Sequence, residues 1–191
     1  MANLIVVILM LSSLMISIPN SFARKRWPDD DLEWFRSLIH QKEKVAKLHF
    51  FIQDILAGPN QTVYELARSS ISSSSPTTFG QVRVVDDLLT VRPERDSEEL
   101  GRVQGLITSS DLEIQALTMN LNFFFTSGQY NGSTLSIAGR NQIMNATREL
   151  PVIGGTGVFR MARGFAITST YSVDPTTLYG VLEYTIYVSY V

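Results

Sequence analysis

Residues 130–164, YNGSTLSIAGRNQIMNATRELPVIGGTGVFRMARG, decide the fold that we expect for this chain. The stretch begins with Asn131-Gly132, a pair that suits a tight hairpin turn because both residues tolerate positive φ. Two β-prone runs follow, at 133–139 and 158–170, and a polar loop separates them. The loop therefore presents polar side chains at one end of a β-structure, and we expect a site there.

The polar loop carries Asn141, Asn145 and Arg148 and ends in a glycine-rich turn at 154–157. The Arg148 guanidinium can donate paired hydrogen bonds to a phenolic or carboxylate oxygen, although it can equally be a solvated loop charge. A strand follows the glycines where a phosphate-binding loop would need a helix. The glycines therefore indicate a tight turn or a close approach of two backbones.

The rest of the chain from Val45 onward has the period of two that is typical of strands. Residues 47–56 alternate, with Leu48, Phe50, Ile52 and Asp54 on one face. Further runs of this kind lie at 62–67, 78–85, 100–108, 113–126 and 178–191. These runs make about eight strands without a long helix, which predicts an all-β fold, either an antiparallel barrel or a sandwich.

Three further features of this region lead to expectations. Several strands carry aromatic residues on both faces, as at 50–51 and 123–125, which favours burial of the outer surface against another subunit. The serine-rich segment 69–75 predicts a flexible surface loop. Asp86-Asp87 is interpreted as the start of a turn rather than as a catalytic pair.

The N-terminus predicts export. Residues 4–18 are nearly all apolar, too short a run for a typical membrane span, and Ser21-Phe22-Ala23 supplies small residues at a cleavage site. We therefore expect a signal peptide at 1–23, the alternative being an uncleaved membrane anchor. Residues 24–44 form a charged N-terminal arm, either an amphipathic helix or a mobile segment, and residues 45–191 form the β-barrel domain.

Composition narrows the function. A net charge of -2 gives no reason to expect nucleic acid or an anionic membrane as a partner, and the chain has no cysteine. The two histidines show no metal-ligand or nucleophile pattern, so we expect neither a metal nor a cofactor. The sequons at Asn60, Asn131 and Asn145 are candidate glycosylation sites, consistent with a secreted, extracellular protein.

Asp54 is the candidate acid. It shares a strand face with apolar residues, where loss of hydration would raise the pKa of its carboxyl group and let it hold or deliver a proton. The alternative is an exposed carboxylate at the end of a strand, or one paired with an arginine. The residues alone leave both interpretations open.

Seven motifs occur in order from about Val45 to the C-terminus: HFFIQDILAG, VVDDLLT, GRVQG, YNGSTLS, GRN, TRELPVIGGTG and FRMARG. In this the chain resembles the dirigent family of plant secreted proteins. The resemblance implies an eight-stranded up-and-down barrel and a homotrimer, with a dimer as the other oligomer considered. Its barrel mouth would carry Asp54 and Arg148. At Asn141, where the family has an aspartate, an amide cannot titrate but can still form hydrogen bonds.

The resemblance leads to three functional hypotheses. In the first, the protein imposes stereoselectivity on the coupling of phenoxy radicals in the apoplast, and a separate laccase or peroxidase generates those radicals. In the second, it is a lyase: Asp54 helps water leave an isoflavanol through a quinone methide, as the GRN motif of the branch with pterocarpan synthases suggests. In the third, it is a wall or defence binding protein without chemistry. Phe50 and Ile52 are the expected apolar ligand contacts.

Overall fold

The computed structural model describes residues 31–191. These residues belong to two units, one that ends at His40 and one that comprises Gln41–Val191. The predicted signal peptide and residues 24–30 of the predicted arm lie outside the described residues. In the first unit, residues Asp31–Ile39 form the helix α1, where the sequence left a helix or a mobile segment open. No helix within the described residues is long and apolar enough to span a bilayer.

The second unit is an antiparallel β-barrel. The sheet order is β1-β9-β8-β7-β6-β5-β4-β3-β2, and a direct β1–β3 pairing closes the ring of eight strands with β2 beside it. The nine strands are β1 (Lys44–Ile55), β2 (Val63–Ala67), β3 (Val82–Thr90), β4 (Glu99–Ser109), β5 (Ala116–Phe125), β6 (Thr134–Gln142), β7 (Arg148–Thr156), β8 (Arg163–Asp174) and β9 (Tyr179–Tyr190). The predicted all-β, eight-stranded barrel is confirmed.

The strand β7 was missed by the sequence analysis, which placed a polar loop and a glycine turn there. Gly154 and Gly155 lie inside this strand, and the turn is a 3-10 segment at Gly157–Phe159. The residues of β7 that pair with β6 run from Thr156 back to Val152. The next residue toward the N-terminus is Pro151, which has no N–H to donate. Only residues 143–147 remain as the β6–β7 loop.

The hairpin between β5 and β6 turns where the sequence predicts, but with a different geometry. Asn131 has φ -50° and ψ 132°, Gly132 has φ 79°, and the Ser133 N–H donates to the Tyr130 carbonyl over 3.0 Å. These values describe a type II turn, so only Gly132 needs a positive φ.

The serine-rich segment before β3 is tied down by hydrogen bonds, contrary to the flexible loop expected. Ser72 and Thr77 are buried. The Ser72 hydroxyl donates to the Phe79 carbonyl over 2.6 Å, and Thr77 donates to the Asp111 carbonyl over 2.6 Å. Short hydroxyl side chains satisfy the backbone here in place of a regular ladder.

Aromatic side chains fill one end of the barrel, which we call the aromatic plug. Phe50, Phe123 and Tyr184 are almost completely buried, and the Phe50 ring centroid lies 5.4 Å from that of Phe123 and 6.2 Å from that of Tyr184. Such rings exclude water and each bury a large area. The plug also contains Phe125, Tyr130, Phe159 and Tyr190. The opposite end of the barrel, where β1 ends and β9 begins, carries the polar residues.

Candidate functional site

A cavity of about 700 Å³ opens at this polar end of the barrel. That volume lies within the usual range for small-molecule sites. Its floor is apolar and is formed by Ile52, Val85, Val103, Ile107, Met119 and Leu121. A flat, apolar ligand such as an aromatic ring system could therefore bury most of its surface here.

Two carboxyl groups lie side by side in the wall of the cavity. Asp54 follows Ile52 on the inner face of β1, and Gln53 pairs with Leu88 of β3. One step further along this register brings Asp54 level with Asp87, which is 4% exposed and also lines the cavity. The turn expected at Asp86-Asp87 is therefore wrong, because both residues lie within a strand.

Thr62 positions the Asp87 carboxyl group. Its backbone N–H donates to the Ile55 carbonyl over 3.0 Å, and its carbonyl accepts from the Asp86 N–H over 3.0 Å, so it joins β1 to β3. Its hydroxyl then donates to Asp87 Oδ1 over 2.5 Å. Within the described residues, Asp54 Oδ1 is buried without a hydrogen-bond partner.

The two carboxyl groups have raised pKa values. Burial raises the pKa of Asp54 to about 6, although the positive charge of Arg83 opposes this. Burial and the nearby negative charge of Asp54 raise the pKa of Asp87 to about 8, against the Thr62 hydrogen bond. Since the groups titrate together, the pair holds one proton near neutral pH. It can give or take a proton inside an apolar cavity.

Across the cavity, Arg148 and Asn141 form a second polar wall. Arg148 is the first residue of β7 and is 6% exposed, so it is not the solvated loop charge considered from the sequence. Its Nη1 group donates to the carbonyls of Ile143 and Asn145, over 3.1 and 3.3 Å, and to Thr170 Oγ1 over 2.9 Å. Burial lowers its pKa. Asn141 lies on β6 and is 4% exposed.

Arg148 Nε and Asn141 Oδ1 are buried without hydrogen-bond partners within the described part of the chain. Leaving such groups unpaired costs about 1–3 kcal/mol each. One is a donor and the other an acceptor. Hydroxyl groups on a ligand in the cavity can satisfy them, because a hydroxyl can accept from Arg148 and can donate to Asn141.

The remaining predicted site residues fall in different places. Ile52 lines the cavity, but Phe50 lies below it in the aromatic plug and does not. Gln53 is buried on the other face of β1, where it donates to Thr90 Oγ1 over 2.7 Å and accepts from the Tyr179 hydroxyl. The three sequon asparagines Asn60, Asn131 and Asn145 are exposed, and Asn145 lies at the rim of the cavity.

A barrel plugged at one end, with an apolar cavity and a proton-sharing carboxylate pair at the other, is typical of a protein that binds a small aromatic molecule and can carry out acid–base chemistry on it. Residues 45–189 match the family profile of the dirigent-like proteins. The chain therefore belongs to the dirigent family.

Named relatives fall into two groups. The chain is 43% identical to dirigent protein 21 of Arabidopsis thaliana over 149 residues, which cover 78% of this chain and 79% of the relative. It is 41% identical to pterocarpan synthase 1 of Glycine max over 151 residues, which cover 78% and 81%. A solved structure of a pterocarpan synthase dirigent protein superposes with a TM-score of 0.74 at 41% identity, covering 79% of this chain and 87% of that one.

Proposed function

We propose that this protein is a lyase of the dirigent family that removes water from an isoflavanol-type phenol by way of a quinone methide. The observation that carries the proposal is the Asp54–Asp87 pair, because a protein that only orients radicals needs no buried proton donor. The similarity to pterocarpan synthases supports it.

The proposed reaction uses both polar walls. The carboxyl pair delivers its proton to the alcohol oxygen of the substrate, the C–O bond breaks, and water leaves. The electrons come from the phenol ring, whose hydroxyl loses its proton to solvent and becomes the quinone methide oxygen. The charge of Arg148 stabilises the negative character of that oxygen. A second hydroxyl of the substrate then adds to the methide carbon and gives its proton back to the carboxyl pair, while the quinone oxygen regains a proton from solvent. The net change is the loss of one water.

Stereoselective coupling of phenoxy radicals is the second candidate function. The apolar cavity and the similarity to proteins named dirigent favour it. In this case a separate laccase or peroxidase would supply the radicals, and the cavity would expose one face of the bound phenol. A difference of about 1.4 kcal/mol between two coupling faces gives a tenfold product ratio.

Incubation with and without an oxidase separates the two functions. The purified protein receives either an isoflavanol alone or a monolignol together with a laccase, and chiral chromatography identifies the products. Turnover of the isoflavanol without oxidase supports the lyase, and enantiomeric excess only in the laccase reaction supports radical coupling. If the wild-type protein forms neither product, the third hypothesis remains, that of a wall or defence protein without chemistry.

We also propose that the protein is secreted into the apoplast, with cleavage after Ala23 and with the barrel domain at 45–191. The apolar segment at 4–18, the small residues at 21–23 and the exposed sequon asparagines support this. N-terminal sequencing of the protein recovered from the medium of plant cells tests it. We expect the mature chain to begin at Arg24, and recovery of full-length protein in the membrane fraction would contradict the proposal.

A further inference from the structure

The mouth of the cavity is surrounded by exposed apolar side chains, and Asn145, the acceptor residue of a glycosylation sequon, lies among its lining residues. Leu56, Met144, Val173 and Leu178 line the cavity, and each is exposed, Met144 by 78%. Leu56, Met144 and Leu178 come from the β1–β2, β6–β7 and β8–β9 connections, and Val173 comes from the last turn-facing residues of β8. We call these four residues the apolar rim.

Asn145 follows Met144 directly and lies in the same rim of the cavity. Both Asn145 and Thr147, the two residues that define the Asn145-Ala146-Thr147 sequon, are exposed. The Asn145 Nδ2 group donates one long hydrogen bond, 3.3 Å, to Oε1 of Gln142, the last residue of β6. Its side chain is therefore open to modification at the point where ligands enter.

The β6–β7 loop is also bound to the buried arginine of the site. The carbonyls of Ile143 and Asn145 both accept from Arg148 Nη1, over 3.1 and 3.3 Å. The backbone from which a sugar on Asn145 would extend is therefore held at the mouth as long as these bonds remain.

We propose that the N-glycan on Asn145 narrows the entrance of the cavity and so selects ligands by size. A hydrophilic, bulky sugar beside Met144 covers part of the apolar rim and slows the entry of large aromatic molecules more than that of small ones. The inference requires the cavity to be the ligand site of the proposed function, but it does not depend on which reaction occurs there.

Asn131 supplies a matched control. It is an exposed sequon asparagine like Asn145, but it lies in the β5–β6 hairpin at the plugged end of the barrel. A glycan there is remote from the mouth. Asn145→Gln and Thr147→Ala remove the same sequon in two ways, so agreement between them separates loss of the sugar from a change in the asparagine side chain.

The experiment measures occupancy and entry. Wild-type protein and the variants Asn145→Gln, Thr147→Ala and Asn131→Gln are secreted from plant cells, and glycopeptide mass spectrometry determines which asparagines carry sugar. Stopped-flow fluorescence then gives association rate constants for a small hydroxycoumarin and for the larger dye anilinonaphthalene sulfonate. The same proteins made in bacteria provide unglycosylated references.

We expect Asn145 to be occupied. Loss of the Asn145 glycan in either variant should raise the association rate constant of the larger dye at least about threefold relative to Asn131→Gln. The rate constant of the coumarin should change little. Wild-type and variant proteins from bacteria should have equal rates. An unoccupied Asn145, equal rates with and without its glycan, or no dye binding by the unglycosylated proteins would overturn the proposal. None of these readouts requires turnover, so a failed lyase assay leaves them intact.

Discussion

Asp87 gains its role from its neighbour. Alone on a strand, Asp54 would be one buried carboxylate close to Arg83, an arrangement that serves structure as readily as chemistry. A second carboxyl at the same level of the barrel changes this, because two negative charges in one apolar cavity repel each other and the pair therefore keeps one proton near neutral pH. The proton that they retain is what an acid catalyst needs.

The first prediction concerns the pH profile of the proposed dehydration. The wild-type kcat/KM should fall tenfold per pH unit above about 8, where the pair loses its last proton. In Asp54→Asn the neighbouring charge that raises the Asp87 pKa is gone, so the fall should begin at lower pH. In Asp87→Asn it should begin near the Asp54 pKa of about 6. The double variant should lose about 10²–10⁴-fold in kcat.

Asp86→Asn is the control for these variants. Asp86 is adjacent in sequence but exposed, and it accepts a hydrogen bond from Arg102 Nε over 2.9 Å outside the cavity. Its replacement should leave the pH profile nearly unchanged. A wild-type profile that stays level above pH 8, or the same profile in all three single variants, would show that the pair does not supply the proton.

At the scale of elements, the pairing of β4 with β5 requires a glycine at position 105, where the two backbones lie too close together for a side chain. A Cβ atom on Gly105 would lie 2.0 Å from the Asn120 carbonyl oxygen of β5, and the residue has φ 156°. The second prediction is that Gly105→Ala lowers the free energy of unfolding by roughly 2–4 kcal/mol, since one of the two backbones must move. Urea denaturation measures the change.

Gly154→Ala provides the comparison. Gly154 is also a strand glycine, in β7, but a Cβ atom there meets nothing within 4 Å. We expect its unfolding free energy to stay within about 0.5 kcal/mol of the wild-type value. Equal losses in the two variants would mean that the loss of glycine flexibility, rather than the close approach to Asn120, governs both.

The strands that the sequence predicts well are those whose inner faces are apolar, such as β1 and β5. Their alternation directly reflects burial against the core. The strand β7 escaped because Pro151, Gly154 and Gly155 are breakers in most contexts, and here the β6–β7 ladder ends where the proline begins. Local patterns could not show this, since it depends on where a neighbouring strand stops.

The site was predictable to a similar degree. Asp54 and Arg148 were identified from their sequence setting and from the family motifs, and the structure places both in the wall of one cavity. Asp87 was missed because two adjacent aspartates usually mark a turn. Its proximity to Asp54 follows from the register between β1 and β3, which are separated in sequence by β2 and the serine-rich segment.

At the scale of the whole molecule, the raised carboxyl pKa values make stability depend on pH. A buried acid whose folded pKa exceeds its unfolded value stabilises the fold below the unfolded value, about 4, and loses that contribution as pH rises through the folded value. For Asp54 and Asp87 this window extends from about 4 to about 8. Glu65 and Asp111 have pKa values lowered to about 2, so their contributions to stability are lost only below this window.

The third prediction is that the free energy of unfolding falls between about pH 5 and pH 8, and that Asp87→Asn weakens this fall. Since one pKa unit corresponds to about 1.4 kcal/mol, we expect the variant to be more stable than the wild type at pH 8 by on the order of 2 kcal/mol. Its amide oxygen can still accept from Thr62. Urea denaturation at the two pH values measures the difference, and parallel curves for both proteins would contradict the prediction.

The outer surface bears on assembly. The expectation that another subunit covers Phe51 is wrong, because Phe51 is already buried within the chain, where the Tyr171 ring lies 5.5 Å away. Phe165 and Tyr187 do remain exposed, with ring centroids 5.2 Å apart, and with Val45 and Lys47 they line a shallow hollow of about 580 Å³. This apolar hollow is the surface on which we place the homotrimer contact that the family resemblance implies.

The fourth prediction is that the wild-type protein is a homotrimer by size-exclusion chromatography with light scattering and that Phe165→Glu reduces its mass. A buried, unpaired charge would oppose the contact. Phe124→Glu is the control, because Phe124 is 36% exposed, close to the 41% of Phe165, but is flanked by Arg102 and Thr134. A monomeric wild-type protein at micromolar concentration would contradict the prediction.

The aromatic plug has a kinetic consequence. In the barrel formed by residues 41–191, the aromatic plug fills the end opposite the cavity. A product formed in the cavity must therefore leave through the same opening by which the substrate entered. Product and substrate then compete for one passage and one chamber. Accumulated product should raise the apparent KM and leave the maximal velocity unchanged. Slow release of an apolar product would limit kcat however fast the bonds rearrange.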